Sequence, residues 1–268
     1  MSIHPTAVVD PQAQLDPSTE IGPYAVIGPH VAIGPRTRIM SHVSIIGHTT
    51  IGADNEIHTG AVIGDAPQHL SYKGTPTHLV IGDRNIIREY ASIHGSYVEG
   101  MKTVIGNDNY LMVQSHVGHD CTIGNRVVVC NGALISGHVE LEDQVFVSGL
   151  VAVHQFVRVG RLVMCAGITR VNRDVPPFMM VYGDSEVVGL NVVGLRRAGF
   201  SSAARTEIKT AYQILYEGNR SLPAAIALLK SEARGPEVRH IIEFLEESKR
   251  GICGGRRSRG PARNSSEE

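Results

Sequence analysis

Tryptophan is absent from this 268-residue chain, and aromatic residues make up only 5% of it. Such a composition suits a narrow aliphatic core with little room for rings. Net charge is also nearly absent: 25 Lys and Arg against 26 Asp and Glu give −1, so overall charge lends no support to nucleic-acid binding. No apolar run reaches the roughly 18 residues that a membrane-spanning helix needs. The N-terminal stretch MSIHPTAVVDP has no basic segment leading into an apolar one, so no signal peptide is expected and the chain reads as cytoplasmic. The four cysteines, Cys121, Cys130, Cys165 and Cys253, show neither a CxxC pair nor a disulfide spacing and read as reduced, mostly buried thiols.

What is present is a period. Large apolar residues recur at every sixth position: Val9, Leu15, Ile21, Ile27, Ile33, Ile39, Ile45, Ile51, Ile57 and Ile63. Ile81, Ile87, Ile93 and Ile105 keep the phase, and Leu111, Val117, Ile123, Val129, Ile135, Leu141, Val147, Val153, Val159 and Cys165 continue it. Glycine often follows, as at Gly22, Gly34, Gly52 and Gly118. An α-helix would need a spacing near 3.6 and a half-buried strand would need alternation. A six-residue period predicts a parallel β-helix, a triangular prism in which three hexads close one coil of about 18 residues. Each large apolar residue then points inward and stacks about 4.8 Å from its counterpart one coil below. The glycines are expected to relieve crowding at corners and to supply positive φ. Pro5, Pro11, Pro17, Pro23, Pro29 and Pro35 fall on turns, where a missing N–H costs little.

The hexads begin near Ile3, with no separate domain ahead of them, and the prism is expected to span 1–190. Two stretches break the period, Asp65 to Leu79 and His94 to Thr103. Both re-enter in phase, and the longer one is of a length that often carries function. After Cys165 the hexads fade. GDSEVVGLNVVGLRRAGFS reads as an irregular connector, and a small helical domain is expected over 191–250. Its helices start at Ser201 or Ser202, near Ser221 with Pro223, and at Pro236. The Gly-, Arg- and Ser-rich stretch 251–268 reads as a disordered tail.

The period does not require the histidines at 116, 119, 138 and 154. Residues about 18 apart become vertical neighbours, so His119 lies under Gly137, which lies under Gln155, while Asp120 lies under His138. These residues form a small outer patch. An imidazole is the natural general base near neutral pH, and Asp120 beside it would orient the ring and stabilise its charged form. Gly137, bare of side chain, offers an N–H to a developing oxyanion. A base and an oxyanion donor without a positioned Ser or Cys point to direct acyl transfer onto a hydroxyl or amine. Cys121, two residues after His119, is the competing nucleophile.

The segments SHVGHDCTIGN, GHVELEDQVFVSGLVAVHQF, RDVPPF and GLNVVGLRRAGFS together resemble the acyl-carrier-protein-dependent UDP-N-acetylglucosamine O-acyltransferases of lipid A biosynthesis. The resemblance covers the chain from the first hexad to about residue 250. It implies a left-handed β-helix with a small C-terminal α-helical domain, assembled as a homotrimer with its active sites between subunits. It implies transfer of a 3-hydroxyacyl chain from the phosphopantetheine of acyl carrier protein to the sugar 3-OH, with no further cofactor and no metal. Matched motif by motif, it makes His119 the general base, Asp120 its partner and Gly137 the oxyanion donor. Gln68, His69, Ser71, His94, His116, His138, His154 and Gln155 fall in the substrate cleft. Asn191 and Arg197 contact the nucleotide, and Gly167 stands where the end of the acyl chain is measured, its lack of a side chain matching longer-chain members. Three positions depart from the family pattern. Gln68-His69-Leu70-Ser71-Tyr72 stands where the family reads Gln-Asp-Leu-Lys-Tyr, and Val193 replaces a common Glu. The changes fall on acceptor recognition and leave the catalytic positions intact.

Other readings use the same residues. N-acylation of an amino-sugar analogue needs the same base. A metal hydratase of the γ-carbonic anhydrase kind would use neutral imidazoles, with His116 and His119 as first candidates. A purely structural β-helix would not depend on His119 at all. Acyl carrier protein is acidic, so Arg158, Arg161, Arg170 and Arg173 are candidates to steer it.

Overall fold

The computed structural model describes residues 2–218, 220–232 and 235–255. Its strands are mostly two residues long and lie in three sheets of twelve, nine and eight strands. These are the faces of the prism. Through the hexads each strand pairs in parallel with the one a coil away: Ile21 with Ile39 on the first face, Ile27 with Ile45 on the second, Ile33 with Ile51 on the third. The hexad residues fill the interior, and Ile45, Ile57, Ile63, Ile87, Leu111, Val129 and Ile135 are fully buried. A two-residue strand cannot hold itself together. Its stability comes from the neighbouring coils, which bury a continuous aliphatic column.

The corners are built differently from the expectation. Positive φ falls mainly on non-glycine residues three places after the hexad residue, among them Tyr24, Arg36, Tyr90, Asp120 and His138. Around Tyr90, with φ 57°, the Ala91 N–H reaches back to the Arg88 carbonyl at 3.3 Å, the geometry of a type II turn. The glycine that follows the hexad residue serves close approach instead. A Cβ on Gly34 would lie 2.8 Å from the backbone carbon of Gly52 in the next coil, and one on Gly22 would lie 2.9 Å from that of Met40.

Both breaks in the period leave the prism at the same corner. The first loop, 66–77, joins strand Val62–Asp65 of the second face to His78–Ile81 of the third. The second, 95–102, joins Ser92–His94 to Thr103–Ile105 across the same edge one coil later. Partners that straddle the first loop are 30 residues apart, as in Ala53 to Asp83, and those that straddle the second are 24 apart, as in Arg84 to Asp108. The ordinary spacing is 18. All three are multiples of six, so the aliphatic column continues in register. The next two coils carry His119 and Gly137 at that same corner.

Beyond the hexads, Met179–Tyr182 and Glu186–Leu190 form an antiparallel pair that extends the first face. The connector, read as irregular from sequence, thus contains a strand, followed by the helix α1, Val192–Arg197. Its order comes from Asn191, whose side chain caps α1 by accepting the Gly194 N–H at 2.9 Å. Helix α2, Ser202–Tyr212, is capped by Ser201 and runs into a π-turn at Gln213–Glu217. Helices α3, Leu222–Glu232, and α4, Pro236–Glu247, follow. Together they bury a second core that includes Phe178, Leu195, Ile208 and Ile241. The start of the stretch assigned to a disordered tail is ordered: Gly254–Gly255 pairs with Glu186 and Val187, and Cys253 is fully buried. Residues 256–268 lie outside the described residues.

Candidate active site

His119 and Asp120 occupy the turn between the second and third faces. Asp120 takes positive φ of 58°, and its N–H donates to Thr103 Oγ1 at 2.8 Å in the coil below. That corner geometry turns its carboxylate back onto its neighbour, so His119 Nδ1 and Asp120 Oδ2 lie 2.7 Å apart. With the Nδ1–H donated to the carboxylate, the Nε2 lone pair is free. The vertical stacking follows the period: the His138 N–H donates to the His119 carbonyl at 2.9 Å, and the Phe156 N–H to that of Gly137 at 3.2 Å. The His119 ring lies against Gly137. A Cβ there would stand 2.6 Å from Nε2.

The spacing places this pair on an outer patch, but their side chains are only 5% and 2% exposed. The two loops fold over them. Tyr97 donates its N–H to Asp120 Oδ2 at 3.0 Å, and His69 stacks on the Tyr97 ring with centroids 3.8 Å apart. Sequence reasoning missed Tyr97 and Thr103. The usable signal was that both loops leave the corner column that later carries His119.

Gln68, His94, His116, His119, Gly137 and Gln155 line one small cavity of about 150 Å³. The His94 Nδ1–H donates to the Ala66 carbonyl at 2.6 Å, and His116 Nδ1 shares a hydrogen bond with Ser92 Oγ at 2.9 Å. Burial, reinforced by the nearby imidazoles of His94 and His119, pushes His116 down to about 4, so the ring is neutral at physiological pH. His138 stands edge-on to His119 at 5.0 Å, stacks on Phe156 at 4.5 Å and approaches Asp120 Oδ2 at 3.8 Å. Burial lowers its pKa, and the Asp120 charge opposes that shift.

Other predicted site residues lie elsewhere. The exposed His154 turns its Nδ1–H to the Gln155 carbonyl at 3.1 Å and does not line the cavity. Ser71 is exposed and gives its N–H to His69 Nδ1 at 3.2 Å. Gly167 sits on the corner between the first and second faces, where a Cβ would make ordinary contact with the Gly149 carbonyl at 3.5 Å. Asn191 and Arg197 line a separate, larger cavity of about 600 Å³ on the first face, with Val193, Phe146, Met164 and Met180. The Asn191 side chain is engaged at both ends, since its Nδ2 also donates to the Leu162 carbonyl at 2.9 Å. Three of the four candidate steering arginines are paired within the chain: Arg158 with Glu140 and Glu247, Arg161 with Glu237, and Arg170 with Asp184. Arg173 is exposed.

Cys121 is a poor nucleophile. Its side chain is fully buried, its Sγ donates to the Ser136 carbonyl at 3.0 Å, and burial pushes its thiol up to about 12. His116 and His119, the pair considered for a metal, line the same cavity but do not belong together to a three-ligand cluster among the described residues. Ligand atoms of His119, Asp120 and His138, not His116, lie within 4.8 Å of one another. Within that trio the closest approach, His119 to Asp120, is a hydrogen bond.

Hexad coils closed into a prism, with a helical cap at the C-terminal end, are the architecture of the hexapeptide-repeat acyltransferases. Residues 102–137 match the model for the bacterial transferase hexapeptide (six repeats), and residues 174–253 match that for UDP N-acetylglucosamine O-acyltransferase, domain 2. The chain belongs to the UDP-N-acetylglucosamine O-acyltransferase family. It is 51% identical over 255 residues to the acyl-[acyl-carrier-protein]--UDP-N-acetylglucosamine O-acyltransferase of Anaeromyxobacter sp. (strain Fw109-5), covering 94% of this chain and 99% of the relative. Its counterpart from Burkholderia lata is 48% identical over 209 residues, 75% of this chain and 80% of the relative. The crystal structure of the Francisella novicida UDP-N-acetylglucosamine acyltransferase superposes with a TM-score of 0.92 at 38% identity, covering 94% of both chains.

Proposed function

We propose that this chain moves a 3-hydroxyacyl group from acyl carrier protein to the 3-OH of UDP-N-acetylglucosamine, the first step of lipid A biosynthesis. Family membership supplies the reaction, and one observation supports the roles given to this chain's residues. His119 Nδ1 is held by Asp120 at 2.7 Å, while its Nε2 edge faces Gly137 on the wall of a cavity that both line.

In this reading Nε2 of His119 removes the proton from the acceptor hydroxyl as its oxygen attacks the thioester carbonyl. Asp120 keeps the tautomer fixed and stabilises the imidazolium. The Gly137 N–H receives the negative charge that forms on the carbonyl oxygen. Collapse of the tetrahedral intermediate breaks the C–S bond, and the imidazolium proton passes to the departing thiolate. An ester and a free thiol on the carrier protein result. The acyl group arrives on phosphopantetheine, and the reading includes no resident cofactor or metal. His94, His116, Gln68 and Gln155 border the reacting centre. His116 is neutral there and acts as a hydrogen-bonding partner.

The Asn191–Arg197 cavity and the His119 cavity lie on different faces of one prism and share no lining residue. That separation supports a homotrimer in which the connector of one subunit completes the cleft of the next. Light scattering on the purified protein tests it, and a monomer would remove it. Among the described residues no helix is long and apolar enough to cross a membrane; a cytoplasmic location is part of the same proposal.

The deciding assay offers purified enzyme both UDP-N-acetylglucosamine and its 3-amino analogue, with a ladder of acyl carrier protein thioesters. A product cleaved by hydroxylamine is the expected ester, whereas a resistant amide from preferred use of the amine would replace this reading with N-acylation. His119→Ala is expected to lower turnover at least about a hundredfold, and near-normal turnover in that variant would discard the mechanism.

A further inference from the structure

Two rings that belong to no hexad close over the proposed base. His69 comes from the first loop and Tyr97 from the second, and they stack with centroids 3.8 Å apart and planes 23° apart. Both meet the His119 ring edgewise, His69 at 5.3 Å and 90° and Tyr97 at 5.7 Å and 67°. The backbone of the second loop reaches the same pair. The Tyr97 N–H donates at 3.0 Å to Asp120 Oδ2, the oxygen that also takes the His119 Nδ1 proton at 2.7 Å. His69 is itself held in place, because its Nδ1 accepts the Ser71 N–H at 3.2 Å. Behind the rings the loops are tied by the Gly95 N–H to the Asp65 carbonyl at 3.2 Å and by His94 Nδ1 to the Ala66 carbonyl at 2.6 Å.

We propose that Tyr97 and His69 form a clasp between the two loops that positions the His119–Asp120 pair, acting through that pair and not on the substrate. The inference rests on the reading of His119 as the general base. Its physical content has two parts. The stacked rings keep water from a histidine and a carboxylate whose side chains are 5% and 2% exposed, which strengthens every charge interaction between them. The loop N–H is a charge-assisted donor that fixes which way the carboxylate points. Without the rings the loop loosens, the N–H is lost, and Asp120 is free to turn from the imidazole. The hydroxyl of Tyr97 has no role in this account. The ring does the positioning. The titratable groups facing the clasp are His119, Asp120 and, across the His119 ring, His138 at 5.0 Å.

The test is steady-state kinetics on the full-length enzyme with an acyl carrier protein thioester and UDP-N-acetylglucosamine. Tyr97→Ala is expected to lower kcat at least about tenfold while both KM values stay within about twofold, the pattern of a change felt in the transition state. Tyr97→Phe should recover most of kcat, which separates the ring from the hydroxyl. His69→Ala should reproduce the Tyr97→Ala pattern. The double variant should be no worse than Tyr97→Ala alone, since one stack can be lost only once.

Wild-type kcat in Tyr97→Ala would overturn the proposal, as would additive losses. So would a loss confined to KM for the sugar nucleotide, which would make the two rings substrate ligands. Should Tyr97→Ala fail to fold, His69→Ala and its rescue by His69→Phe decide the matter. His119→Ala, run alongside, separates the two levels. If it is active, the base reading fails. If it is inactive and Tyr97→Ala is normal, only the clasp fails.

Discussion

Gly137 leaves no room for a side chain beside His119: a Cβ would stand 2.5 Å from Cε1 of the ring and 2.6 Å from Nε2. The ring has nowhere to retreat, being held by Asp120 at 2.7 Å and flanked by His69 and His138. Gly137→Ala must therefore displace the imidazole or the corner that carries Gly137. Turnover is expected to fall about a hundredfold, the cost of misplacing a reacting group by roughly an ångström. The backbone there is not in the left-handed region, so the variant should still fold and melt close to the wild type. Kinetics and thermal unfolding on the same preparation check both halves.

Asp120 makes a second, independent case. Asp120→Asn keeps the shape but removes the charge, and its amide can present an N–H to a ring nitrogen that must itself donate. Turnover is expected to drop by at least about a hundredfold through the wrong tautomer, with little change in either KM. A normal kcat in Asp120→Asn would mean that the 2.7 Å contact is structural only.

Cys121 should be dispensable. Its thiol is fully buried, bonded to the Ser136 carbonyl and pushed up to about 12 by that burial, and only a thiolate is an effective nucleophile. Cys121→Ala is expected to keep kcat within about threefold, since a small apolar group replaces another. Native enzyme treated with an alkylating agent should leave this thiol unmodified by mass spectrometry. A dead Cys121→Ala variant that still folds would revive covalent catalysis.

Two histidines give stability opposite dependences on pH. His116 is held down to about 4, first by burial, so the unfolded chain binds its proton more readily. Its contribution is intact above the ordinary histidine value near 6.5 and is lost as pH falls from there toward 4. His240 is raised, first by its hydrogen bond to Glu142 at 2.7 Å. Its contribution is present below about 6.5 and disappears as pH rises through the raised value. Replacing His116 with Gln should flatten the acid side of the stability curve by roughly 1–2 kcal/mol, a figure already reduced for partial exposure. Replacing His240 with Gln should cost stability at pH 6 and much less at pH 9. Denaturant midpoints across pH 4–9 read both, and unchanged slopes in the two variants would show that neither group titrates as described.

The prism was legible because one number describes it. A large apolar residue every sixth place, from Val9 to Cys165, can be buried only by coiling, and the same period foretold that His119, Gly137 and Gln155 would lie over one another. What was hidden depends on atoms outside the period. The burial of His119 and Asp120 comes from loops 66–77 and 95–102, whose paths no repeat dictates. Helix α1 is too short to show an amphipathic pattern, and its start depends on Asn191 turning its side chain onto the Gly194 N–H, so a residue assigned to a nucleotide also serves as a cap. Positive φ at Asp120 and His138 is equally silent in the sequence, because glycine is the residue one looks for and here it stands two places before Asp120 and one before His138.

Both loops leave the stack at a single edge and return to it in step, so chain can be added or removed there without disturbing the coils above or below. That edge carries both inserts, and it borders the buried His119–Asp120 pair. The departures from the family pattern at His69 and Ser71 lie within the first of these two inserts, so they alter what covers the His119–Asp120 pair while the coils stay as a fixed frame.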